Sequence, residues 1–167
     1  MTALEICEWL ETTAIAIAIQ ESLYGFAIVV AVHILGVAAS VGMLLWVDLR
    51  LLGVALMHRP LSEVYRSLAP WFAAGFAIML LSGAALFTAF ATAAYGNPFF
   101  RIKLLLLLLA GVNALVFHRF AAPSPDRRAE GGTPLTAARL AGVLSLLIWT
   151  GVIVMGRMMS YTMFSFG

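Results

Sequence analysis

Residues 24–47 read YGFAIVVAVHILGVAASVGMLLWV, an apolar run long enough to cross a bilayer and interrupted by one imidazole, His33. A helix rises about 1.5 Å per residue and the hydrocarbon core is roughly 30 Å thick, so His33 lies roughly 13 Å in from the Tyr24 end. A polar group at that depth costs several kcal/mol unless another helix, a metal, a cofactor or trapped water satisfies it. His33 is therefore a candidate site residue by position alone.

Three further runs have spanning length, 68–95, 99–117 and 137–157, with their few charges near the ends. Of all residues, 63% are hydrophobic and only 11% charged, and the mean hydropathy is +1.01, which is the balance of an integral membrane protein. Four spans use most of 167 residues. The expected fold is all-α: one transmembrane domain over 1–167, an up-down four-helix bundle with no soluble catalytic module, and a lipid bilayer as its surroundings.

Orientation follows from Lys and Arg. Arg50, Arg59, Arg66, Arg119, Arg127, Arg128 and Arg139 fall on one side, and Arg101, Lys103 and Arg157 on the other, which places the first group in the cytoplasm. Both termini and the Gly96-Asn97-Pro98 turn then face outward, into the periplasm if the chain sits in a bacterial inner membrane. Tyr24, Tyr95 and Tyr161 mark the outer interface, and Trp46, Tyr65 and Trp71 the inner one. The first residues carry Glu5, Glu8 and Glu11 and lack the basic start of a signal peptide; they read as a short amphipathic surface helix over 3–13. Cys7 is the sole cysteine, so neither an internal disulfide nor a thiolate cluster is possible. The stretch 123–133 reads as a cytoplasmic loop.

The His33 face of the first span carries Gly36 and Ser40, a small-xxx-small pair that lets another helix or a flat cofactor approach the backbone. The second span contributes Gly75, Ser82 and Gly83, and the third a face of Lys103, Leu107, Ala110 and Ala114, so His33 is expected to point toward the third span near Leu107 and Ala110. A structural histidine would bond to Ser40, Ser82, Thr88 or a backbone carbonyl. A ligating histidine suits haem b between helices; copper or zinc would want further ligands, for which Met79, Met155 and Met158 are the soft side chains at hand. His118 lies near the opposite interface, roughly 13 Å from His33 along the membrane normal, too far to share one iron. Lys103, Arg101 and Arg157 form an outer level of cations suited to haem propionates or an anionic headgroup. Asp48 is expected to reach Arg50, Arg119 or Arg139.

The motifs His33-Ile-Leu-Gly36, Val47-Asp48-Leu-Arg50-Leu-Leu-Gly53, Pro70-Trp71 with Gly75-Phe76 and Ser82-Gly83, and Asn97-Pro98-Phe-Phe-Arg-Ile-Lys103 resemble a bacterial family of small four-helix membrane proteins of unassigned function, over nearly the whole chain. More distantly the chain resembles the membrane domain of copper-resistance protein D and the HemJ-type protoporphyrinogen oxidases. In the latter a first-helix histidine and a third-helix lysine are associated with haem binding and activity, and His33 and Lys103 occupy the matching places. The leading expectation is thus a haem-b-binding redox or electron-transfer protein with His33 as axial ligand, Lys103 near the haem or its substrate, and Arg101 or Arg157 on the propionates. The alternatives are a copper-handling or transport-related protein with His33 as metal ligand, or a non-catalytic subunit of a larger membrane complex; a homodimer is a further possible assembly. No phosphate-binding loop, no nucleophile with its base and no nucleic-acid-binding surface is present in the sequence.

Overall fold

The computed structural model describes residues 2–56, 58–121 and 135–163; the 123–133 loop lies outside them. Among these residues seven α-helices follow in order, α1 (Ala3–Glu11), α2 (Ala14–Glu21), α3 (Gly25–Leu52), α4 (Leu61–Ala89), α5 (Ala91–Gly96), α6 (Pro98–Val116) and α7 (Leu135–Thr162), with a π-helical turn, Phe117–Ala121, after α6. Among the described residues there is no strand. α3, α4, α6 and α7 are each long and apolar enough to cross a membrane. Their outward surfaces carry Ile34, Leu35, Leu81, Leu105, Leu108 and Leu147, large apolar side chains that water would not leave exposed in such numbers but lipid solvates.

Local chemistry sets the ends. Thr2 and Glu5 form a capping box that starts α1, with Glu5 N donating to Thr2 Oγ1 at 3.3 Å and Thr2 N to Glu5 Oε2 at 2.9 Å. Thr12 and Thr13 stop it, since their hydroxyls donate to Trp9 O and Leu10 O, and Thr13 Oγ1 then accepts from Ala16 N to open α2. α1 is the short helix expected over 3–13, and a second short helix, α2, follows it. α3 ends at Gly53, whose left-handed φ of 78° is the conformation that closes a helix without a Cβ clash. Asn97 caps α6 through Oδ1, which accepts from Phe99 N at 2.9 Å, with Pro98 at the first helical position.

The second apolar run does not continue as one helix to Tyr95. It breaks at Phe90 (φ −140°, ψ 43°), and the break is held from the N-terminal segment. Gln20 Nε2 donates to Ala89 O, and Glu11 Oε1 accepts from Thr92 N at 2.8 Å and from Thr92 Oγ1 at 2.7 Å, which supplies the start of α5 with a carboxylate. α1 and α2 thus cover the end of the bundle where α3 begins and α4 stops. Asn97, fully buried, donates to Thr162 Oγ1 at 3.2 Å and ties the start of α6 to the end of α7 at that same end.

α3 packs along α4 and α7, and α6 packs along α7, while α4 and α6 meet through side chains, Phe87 on Phe100 and Met79 with Ala110 in one core. The α3–α4 contact is backbone on backbone. A Cβ at Gly36 would come within 2.7 Å of Met79 N, and one at Gly75 within 2.7 Å of Ser40 N and 2.9 Å of Ala39 Cβ. The Gly36/Ser40 pair therefore serves a helix rather than a cofactor. With no hydrophobic drive between helices in lipid, such close van der Waals contact is what holds the pair. The core proper joins three elements, Met79 of α4, Ala110 of α6 and Trp149 with Val152 of α7.

Asp48 is 3% exposed, and its hydrogen-bond partner is Ser145 of α7 rather than the expected arginine. Arg50 instead donates to Arg59 O, through Nε at 3.1 Å and Nη2 at 3.0 Å, closing the link between α3 and α4. Asp48 therefore ties α3 to α7. Asp48→Asn keeps an acceptor for Ser145 and is expected to leave the thermal midpoint in detergent nearly unchanged, whereas Asp48→Ala should lower stability by about 1–3 kcal/mol through the lost bond. Equal midpoints for the two variants would remove Asp48 from the account of stability.

Candidate functional site

His33 occupies the third turn of α3, about 12 Å from its Gly25 end. Its ring is turned toward α4. Nδ1 lies 2.9 Å from Met79 O and 3.1 Å from Ser82 Oγ, and Ser82 in turn donates to Ile78 O. A carbonyl oxygen only accepts, so Nδ1 carries the proton and donates, and Nε2 is left as the nitrogen with the lone pair. No described residue bonds to that second nitrogen. Gly83 makes room for the ring: a Cβ there would lie 3.0 Å from His33 Cε1.

The expected direction toward the third span needs correcting. The hydrogen bonds of His33 go to α4, because the glycine contact brings α3 and α4 together. What α6 contributes is Lys103, about 7 Å from its Pro98 end and close enough for its charge to act on the imidazole. The Lys103 side chain lies along α7 at Gly156, where a Cβ would stand 3.6 Å from Nζ and 3.9 Å from Cδ. Its ammonium makes no hydrogen bond or ion pair with any described residue. An imidazole lone pair and an ammonium therefore lie in the same half of the bundle, each without a partner among the described residues.

Arg101 and Arg157 stand at the end of the bundle, exposed, and each is steadied by a tyrosine. Arg101 donates from Nε and Nη2 to Tyr95 O at 3.1 and 3.0 Å, with its guanidinium 5.1 Å from the Tyr95 ring centre. Arg157 donates from Nη2 to Tyr161 Oη at 3.0 Å and lies 5.2 Å from that ring. Both keep Nη1 unengaged among the described residues. His58 and His118 are exposed near the opposite end and do not approach His33. Among the described residues no three His, Cys, Asp or Glu side chains come together, and Met79 Sδ is directed to Ser40 Oγ at 4.0 Å, so the copper-type ligand set around His33 does not assemble.

Two parts of this neighbourhood escaped the sequence pattern. Gly156 falls within an apolar span and shows its purpose only once Lys103 lies against it. Phe87 and Phe100 stack with centroids 5.4 Å apart and planes at 7°, one turn outward of Gly83 and Lys103 respectively. The Asn97-Pro98-Phe-Phe motif was the available signal for the second of these rings. Asn113 of α6, by contrast, is structural, donating to Ala141 O of α7 at 3.1 Å.

Residues 6–162 match the family of unknown function DUF6644, and the chain belongs to that family. No curated protein and no solved structure matches it.

Proposed function

We propose that this chain is a small membrane redox protein that holds haem b through Nε2 of His33. The observation that carries the reading is the pairing of Nδ1 with Met79 O. A histidine that donates from one nitrogen to a backbone carbonyl presents the other as an oriented, electron-rich ligand, which is how imidazoles are set up for metals. The donor set fits a haem better than a bare ion, since one imidazole without further His, Cys, Asp or Glu leaves a metal ion unsaturated, whereas a porphyrin brings four ligands of its own. When bound, haem supplies one-electron exchange at iron.

The chain's own residues divide the remaining work. Met79 O and Ser82 fix the ring, Gly83 leaves it space, and Arg101 and Arg157 offer unengaged Nη1 groups to carboxylates at the bundle end. The distant resemblance to the HemJ-type proteins supports this reading, and the balance of Lys and Arg supports a site in the outer half of a bacterial inner membrane with both termini periplasmic. The test is the absorbance of the protein purified in mild detergent: a Soret band that sharpens and shifts on dithionite reduction is expected. A second reading, a structural subunit of a larger membrane complex, is favoured by the exposed leucines of α6, Leu104, Leu105, Leu108 and Leu109; co-purifying partners without any chromophore would support it instead.

A further inference from the structure

A hydroxyl on a membrane helix ordinarily satisfies itself by donating back to a carbonyl one turn earlier. Ser40, Ser82, Thr88, Thr150, Ser160 and Thr162 all do so. Ser67 of α4 makes no such bond and has no partner among the described residues. It lines a cavity of about 260 Å³ between the end of α3 and the start of α4, together with Trp46, Leu56, Arg59, Val64 and Leu68. Trp46, Leu56, Arg59 and Ser67 are exposed, so the cavity is open to its surroundings. Trp46 stands 21 residues after Gly25 on α3, about 32 Å, which is the thickness of the hydrocarbon core; the cavity therefore lies where lipid phosphates begin. We propose that it holds the head group of an anionic phospholipid, with the phosphate at Arg59 and Ser67 and the start of an acyl chain against Trp46 and Leu68.

The lining selects the ligand. Its polar groups are donors: the Ser67 hydroxyl, the Trp46 indole N–H and the Arg59 guanidinium. Arg59 pairs with Glu63 only through Nη1, at 3.5 Å in an exposed pair, and keeps Nε and Nη2 unengaged among the described residues. Its backbone is fixed beside α3, since Arg50 donates to Arg59 O. A guanidinium fork and a hydroxyl match phosphate oxygens. Inorganic phosphate would use the same donors and leave Trp46, Leu56 and Leu68 wet, whereas a phospholipid covers them, and a chain with four spans meets phospholipid at this level. A zwitterionic head group brings its own ammonium up to Arg59 and the exposed Arg66 beside Ser67, so a net negative head group is preferred. Neither His33 nor haem takes part.

The experiment titrates the full chain in mild detergent with dioleoylphosphatidylglycerol or dioleoylphosphatidylcholine and counts bound lipid by native mass spectrometry. A saturable site for the glycerol lipid is expected, with weaker binding of the choline lipid. Its affinity should fall roughly tenfold or more in Arg59→Gln, the loss of charged donors, while the Arg59 carbonyl that Arg50 uses stays in place. Ser67→Ala leaves every charge alone and suits a helix, so it serves should Arg59→Gln fold poorly; a loss of roughly fivefold is expected. Arg139→Gln makes the same change in charge outside the cavity lining and should cost roughly twofold, as a screened exposed charge does. Equal affinity of the wild type for the two lipids, unchanged binding in Ser67→Ala, or a loss in Arg139→Gln as large as in Arg59→Gln overturns the proposal, the last by making the attraction diffuse. Displacement of the glycerol lipid by inorganic phosphate at millimolar concentration also overturns it, because the site would then be one for a small anion.

Discussion

His33→Ala is expected to purify as a folded protein without a Soret band, while His118→Ala keeps the wild-type spectrum. The expectation follows from placement. His33 offers an Nε2 with no partner among the described residues on a ring fixed by Met79 O and Ser82, and His118 sits exposed in the π-helical turn at the other end of α6. Fifteen residues separate Lys103 from His118, about 22 Å, and His33 and His118 differ by roughly 13 Å in depth, so one iron cannot take both. Met79 contributes through its carbonyl, so Met79→Leu is expected to hold haem nearly as well as wild type. Equal haem loss in His33→Ala and His118→Ala would mean that the axial position has been misplaced.

The second large effect is on the fold. Gly75→Leu puts a side chain where Ser40 N and Ala39 Cβ already stand within 3 Å of a Cβ, so α3 and α4 must separate. Overpacking of this kind costs about 1–3 kcal/mol where side chains can yield, and here the obstacle is backbone, which puts the cost at the upper end or beyond. Thermal unfolding in detergent should show a large drop in midpoint. Haem retention should fall with it, because the carbonyl that orients His33 belongs to α4. Gly111→Leu is the control: nothing lies within 4 Å of a Cβ there, and that change should be close to neutral. If both leucine variants unfold alike, the tight α3–α4 crossing is not what holds the bundle.

The sequence pattern carried the spans, because a bilayer imposes a length and a composition that few other environments demand. Asn97-Pro98 and Gly53 marked helix ends because their backbone chemistry is local. The break at Phe90 was not legible, since 68–95 is apolar throughout and its interruption depends on Gln20 and Glu11, dozens of residues away. α4 also begins earlier than its apolar run, at Leu61, because a helix can continue beyond the hydrocarbon with polar residues such as Ser62 and Glu63.

For the site, depth alone singled out His33, and the partners found, Ser82 and a backbone carbonyl, were among those expected. Ser40 and Thr88 satisfy themselves on their own helices, at Gly36 O and Ala85 O. The neighbour was wrong in one respect. A helical wheel gives the face of a helix but not the order of its companions, and α4 rather than α6 receives the imidazole. The stacked Phe87 and Phe100 and the Lys103–Gly156 contact belong to pairs of helices and have no signature on any one of them.

The claim that the His33 site is built for haem is tested most directly by the haem content of the wild-type protein, expressed with haem supply and purified in mild detergent, read as the pyridine haemochrome per mole of chain. The account predicts about one haem b per chain, bound through an imidazole. A folded, monodisperse preparation with no haem, and none taken up on titration with hemin, would contradict it.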